Sequence, residues 1–116
     1  MNFDFSKQRD KKLSIREKMQ TSLIRYDEII YLECTGNLVF VHHIKDETPF
    51  SYSNSLALIE KELLEYGFMR INDNMIINMY HVQKLISKKH EILVGNNKIL
   101  AISRRKWKKV KEFFNS

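Results

Sequence analysis

Residues 27–44 read DEIIYLECTGNLVFVHHI. Two runs rich in β-branched and aromatic residues, 27–34 and 38–44, flank Thr35-Gly36-Asn37. Such side chains suit a pleated, half-buried surface. Glycine takes positive φ at no steric cost, and asparagine tolerates it better than most residues, so the triplet is a turn signal. The stretch therefore predicts an antiparallel hairpin. Upstream, Leu13, Ile15 and Met19 are separated by polar and charged residues and predict a first strand, with a short second one at 22–25. Downstream, 50–53 predicts another short strand.

One internal helix is expected over about 56–65. Leu56, Ile59 and Leu63 fall at i, i+3 and i+7, while Glu60, Lys61 and Glu62 point away. Asn54 or Ser55 can cap its start and Gly67 can end it. Extended structure resumes at 68–71, Asn72-Asp73-Asn74 reads as a loop, and 75–78 follows it. A second hairpin is expected from 91–94 and 98–102 around Gly95-Asn96-Asn97. Residues 103–114 read as a terminal helix capped by Ser103, with Trp107 and Phe114 turned to the core. This order of strands, helix, strands, helix lacks the βαβ alternation of a doubly wound sheet. A mainly β, antiparallel domain with peripheral helices is expected over 13–116, and residues 1–12 read as a polar tail or linker remnant.

The 116 residues suffice for one domain. The single cysteine, Cys34, leaves no intramolecular disulfide and no cysteine-based zinc site, and it reads as a small core residue. No apolar run approaches the ~18 residues of a membrane span, and the N-terminus lacks the apolar stretch of a secretory signal. No membrane insertion and a cytoplasmic location are the expectation. There is no HExxH pattern and no glycine-rich phosphate loop. His42 and His43 are neighbours, so on a strand they point to opposite faces. Neither an enzyme nor a cofactor is expected.

Twenty Lys and Arg against 14 Asp and Glu give a formal charge of +6, which favours an anionic partner. The excess gathers near the C-terminus, where Arg104, Arg105, Lys106, Lys108, Lys109 and Lys111 are opposed by Glu112 alone. On a helix, Arg104, Lys108 and Lys111 share one side, with Arg105 and Lys109 beside them. A basic side on a docked helix can contact phosphates, and an arginine at the strand-to-helix corner can fork onto guanine. A helix-turn-helix does not fit, because the internal helix carries Glu60, Glu62 and Glu65 on its polar side. No RNP-like or GxxG signature of RNA modules is present. If DNA is the ligand, loops must read it. The competing reading is a basic protein-interaction module that regulates a partner protein.

Six short segments, in order, resemble the LytTR DNA-binding domain of bacterial response regulators. They are 27–33, Gly36-Asn37, 55–63, Phe68-Met69-Arg70-Ile71, Ile76-Ile77-Asn78 and Ser103-Arg104-Arg105-Lys106. The resemblance covers about 13–114. It implies an elongated fold of small antiparallel sheets, and a transcription regulator that places loops in successive grooves of double-stranded promoter DNA. On this chain the first major-groove loop is then Thr35, Gly36 and Asn37. The second is the corner at Arg104, with Arg105, Lys106, Lys108 and Lys109 nearby. The loop at Asn72 and Asn74 would lie against the minor groove between them. Asp73 departs from the family's pattern and would meet phosphate repulsion. Arg70 and Asn78 read as structural. Pairs of molecules on repeated half-sites are expected, because one small module touches little DNA.

Overall fold

The computed structural model describes residues 4–115. Ten strands form three antiparallel sheets. The hairpin read at 27–44 is the centre of the largest one: β3 (Ile29–Thr35) pairs with β4 (Leu38–His43) in register Thr35↔Leu38 to Tyr31↔His42. β5 (Phe50–Ser53) adds to β4 on one side. On the other, β3 pairs with β7 (Met75–Asn78), and β7 with β6 (Phe68–Asn72), giving the order β5-β4-β3-β7-β6. β1 (Lys12–Glu17) and β2 (Gln20–Arg25) form a separate hairpin. β8 (Val82–Ile86), β9 (Glu91–Val94) and β10 (Lys98–Ala101) form the third sheet. Among the described residues two α-helices complete the fold, α1 (Leu56–Leu63) and α2 (Arg104–Phe114).

β3 lacks alternation because both of its faces are covered. Ile29 and Leu32 belong to one cluster, with Leu13, Ile15 and Ile24 from the β1–β2 hairpin and Leu56, Ile59 and Leu63 from α1. Ile30 and Tyr31 belong to another, with Ile92, Val94 and Leu100 from the third sheet and Val110 from α2. The central sheet thus separates two small cores, and the molecule is elongated, 44 × 31 × 25 Å. The outer strands keep period two, as in β1, where Leu13 and Ile15 are buried between exposed neighbours. α1 buries the expected Leu56, Ile59 and Leu63, and its Ser55 cap accepts a hydrogen bond from Leu58 N.

Four local readings change in three dimensions. Residues 5–10 are no tail: Phe5–Asp10 is a docked 3-10 helix with Gln8 fully buried. Its anchor is Asn78, at the end of β7. The two amides bond each other in both directions, and Gln8 Nε2 also donates to Tyr66 O. Phe5 packs so closely over Gly67 that a Cβ there would stand 2.6 Å from its ring. Gly67 also takes φ 88°, ending the helical segment as a C-terminal glycine does. Met19 sits on the β1–β2 turn, 97% exposed, instead of pointing inward from a strand. Phe113, not Phe114, packs against the core, because the inward side of α2 is set by Val110 and Lys106 lies beside it on the wheel. Cys34 is only half-buried, with Sγ donating to Gly36 O.

Candidate nucleic-acid interface

Strand direction decides which turns meet. β3 runs antiparallel to both β4 and β7, so the β3–β4 turn and the β6–β7 turn emerge at the same end of the sheet. Cys34 N donates to Asn74 O at 2.8 Å and ties the two turns together. The corner between β10 and α2 joins them through β6. Ser103 N donates to Ile71 O at 2.8 Å, and Asn72 Nδ2 donates to Ala101 O at 2.8 Å. Segments far apart in sequence thereby line one edge.

Thr35, Gly36 and Asn37 are all exposed at the hairpin tip. Gly36 alone of the three takes left-handed backbone, at φ 61°. In the next turn the Asn72 amide is occupied at both ends, since Oδ1 also accepts from Asn74 N at 2.8 Å. Asn72 therefore shapes the turn and pins it to β10, while the exposed Asp73 and Asn74 form its outer surface. Arg70 braces the same turn from behind. Its guanidinium donates to Asn72 O, to Asp73 O and to Glu60 Oε1, the last at 2.9 Å. The sequence marks Arg70 as structural, yet nothing in it says that its work is to hold this loop.

α2 begins at Arg104. Ser103 caps it by accepting from Lys106 N at 3.3 Å, so the helix N-terminus opens onto the same edge. Arg104 is exposed and makes no ion pair or side-chain hydrogen bond among the described residues. Arg105 reaches across the corner to Asp73, Nη2 to Oδ1 at 3.2 Å. With side chains 78% and 84% exposed, this pair is weak and screened by salt. The rest of the basic helix splits. Lys108 lies on the outward side with Arg104, whereas Lys106 and Lys109 rim a groove of about 310 Å³ between α1 and α2. That groove is floored by Leu64, Phe68, Met69 and Phe113. Lys108 and Lys109 also sit roughly 6–7.5 Å along the axis from Arg104, at ~1.5 Å per residue. Of the ten residues singled out from the sequence, Lys106 and Lys109 therefore turn to the groove, and Lys108 lies outward one helical turn behind Arg104.

The histidines go elsewhere. His42 stacks on Tyr31 and contacts Glu33, His43 is buried against Phe50, and His90 stacks on Trp107. Among the described residues no cluster of His, Cys, Asp or Glu could hold a metal ion, and no helix is long and apolar enough to cross a membrane.

The model of the LytTr DNA-binding domain matches residues 19–115. The chain belongs to the LytTR family. Among solved structures, this LytTR domain is similar to the LytTr DNA-binding domain of a methyl-accepting/DNA response regulator from Bacillus cereus. The TM-score is 0.77, over 90% of this chain and 97% of that one. At 16% identity that likeness speaks for the fold, and the fold is the elongated set of small antiparallel sheets expected from the sequence. No curated protein sequence matches this LytTR domain significantly.

Proposed function

We propose that this LytTR domain regulates transcription by laying the loop edge across double-stranded promoter DNA. In this reading the Thr35–Asn37 turn and the Arg104 corner enter successive major grooves, and the Asp73-Asn74 turn lies against the minor groove between them. The observation that carries the reading is the bond network that joins the three loops: Cys34 to Asn74, Asn72 to Ala101, and Ser103 to Ile71. Loops held on rigid strands are pre-organised, so little ordering entropy is lost on binding. Arg104 is the candidate for base recognition. Arg105 and Lys106 flank it, and Lys108 and Lys109 supply phosphate contacts. One such edge reads few base pairs, so two copies on repeated half-sites give the specificity a promoter needs.

The test is an anisotropy titration of the domain against promoter fragments at several salt concentrations. Tight, salt-dependent and sequence-dependent binding is expected. Binding without sequence preference, or none, favours instead a module whose basic surface engages a regulatory protein partner. For Lys108→Ala, the expected result is a loss of affinity that is equal on all sequences, with a log K against log salt slope shallower by about 0.9. An unchanged slope removes Lys108 from the interface.

Asp73 refines the reading. Its carboxylate competes with phosphate for Arg105. Asp73→Asn removes that competitor and a like charge to the backbone. Non-specific affinity at low salt is expected to rise by roughly 2- to 5-fold, in line with ~0.5–1 kcal/mol for an exposed charge. A fall in affinity instead makes the Asp73–Arg105 pair part of the binding geometry.

A further inference from the structure

The β1–β2 hairpin lies on the same end of the molecule and is absent from the loop set just described. Its inner face is fixed: Leu13, Ile15 and Ile24 are 0–3% exposed in the core shared with Val39, Tyr52 and Leu56. Its tip lies against β4 and β5 of the central sheet. Leu38 pairs with Ser53, so β4 and β5 meet the loop edge there, one residue beyond Asn37. The tip residues 16–20 share a shallow cleft with Leu38 and Ser53. Along the edge the order is therefore the 18–19 turn, the 35–37 turn, the 73–74 turn and the Arg104 corner.

The chemistry of the tip is that of a surface awaiting a polyanion. Arg16 and Lys18 are exposed, and among the described residues neither makes an ion pair or side-chain hydrogen bond. Glu17, the nearby acid, is half-buried, with the alternation of β1 placing it on the inner face with Leu13 and Ile15. Met19 is 97% exposed between Lys18 and Gln20, so folding gains nothing from its apolar side chain. The held backbone, the two free cations and the unburied flexible apolar residue coincide at the end of the loop row.

We infer that the β1–β2 tip is an additional DNA contact, outboard of the Asn37 turn, in which Arg16 and Lys18 bind backbone phosphates and Met19 lies against the sugars beside them. The inference rests on the DNA-binding reading of the loop edge and lengthens its footprint on one side. It adds affinity without adding sequence information, because phosphate contacts position a protein and do not read bases.

The test is a salt series from 50 to 200 mM on the wild-type domain and on Arg16→Ala, Lys18→Ala, Met19→Ala and the Arg16→Ala/Lys18→Ala double variant. The probe is a mixed-sequence DNA duplex, with the far-end variant Lys7→Ala as control. Each lost phosphate contact should reduce the fall in affinity across this salt range by about 3.5-fold, and the double variant by roughly 12-fold. Lys7→Ala, on the docked 3-10 helix at the opposite end, should leave the slope unchanged. Met19→Ala should weaken binding severalfold at constant slope. Thermal midpoints should match the wild type, because the three side chains are solvated. Wild-type slopes in the Arg16 and Lys18 variants, with the wild type still binding, overturn this inference alone. Variants that alter self-association but not the slope assign the tip to protein contact and overturn it as well. A wild-type domain without salt-dependent binding to duplex sinks both this inference and the reading beneath it.

Discussion

Asn78→Ala is expected to lower folding stability by about 3 kcal/mol and the thermal midpoint by roughly 10–15 °C. Asn78 is fully buried where β7 ends. Its Nδ2 shares its two hydrogens among three acceptors, Tyr26 O at 3.1 Å, Ile29 O at 2.9 Å and Gln8 Oε1 at 3.1 Å. Its Oδ1 accepts from Tyr80 N and from Gln8 Nε2. Four segments therefore meet on one amide: the N-terminal 3-10 helix, the Tyr26–Glu28 turn, the start of β3 and the entry to β8. Removal strands carbonyls and the Gln8 amide away from bulk water, and each unsatisfied buried group costs about 1–3 kcal/mol. Asn78→Asp is the sharper variant. It keeps the shape, but a carboxylate cannot donate to Tyr26 O and Ile29 O, so the loss should equal or exceed that of alanine. Denaturant unfolding of the two variants checks this. A loss below about 1 kcal/mol in both would mean that water replaces the amide and that the node is not a structural anchor.

Arg104→Ala is expected to weaken binding to a promoter fragment selected by the wild-type domain by about 1–3 kcal/mol, roughly 5- to 150-fold. The side chain is exposed at the first turn of α2 and uncommitted among the described residues, whereas Arg70 is occupied and Arg105 faces Asp73. An uncommitted guanidinium on a capped corner gives up no existing partner on binding and can form two parallel hydrogen bonds to guanine. Arg104→Lys retains the charge but not the fork, so it should recover salt dependence without recovering base preference. Competition with duplexes substituted one base pair at a time separates these outcomes. Equal losses on every sequence would reduce Arg104 to a phosphate contact.

The difference between these two predictions reflects what kinds of interaction are legible in a sequence. Period-two alternation in β1, the Gly36 turn and the i, i+3, i+7 pattern of α1 are local, since each depends on neighbours a few residues away. They match β1–β4 and α1 closely. The basic run at 104–111 is local too, and so was visible. Its division between the loop edge and the α1–α2 groove was not, because that depends on which side of α2 meets β6. Phe113 and Phe114 exchange their expected positions for the same reason. Asp73 raised an electrostatic objection in the sequence, but its pairing with Arg105, 32 residues away, needs the fold. The burial of Gln8 is not legible in the sequence, because a polar residue in a polar segment looks solvated until its partner, 70 residues on, is known.

The sequence by itself determined the two hairpins at β3–β4 and β9–β10, both α-helices, the antiparallel class, the family and the place where positive charge accumulates, because hydrophobic period, turn chemistry and composition act over short distances along the chain. Only the tertiary structure decided that the β3–β4 turn, the β6–β7 turn and the Arg104 corner share one edge, that the β1–β2 tip extends it, and that residues 5–10 belong to the domain. Those outcomes follow from strand direction and from hydrogen bonds between segments 29–70 residues apart, whose partners no local pattern can announce.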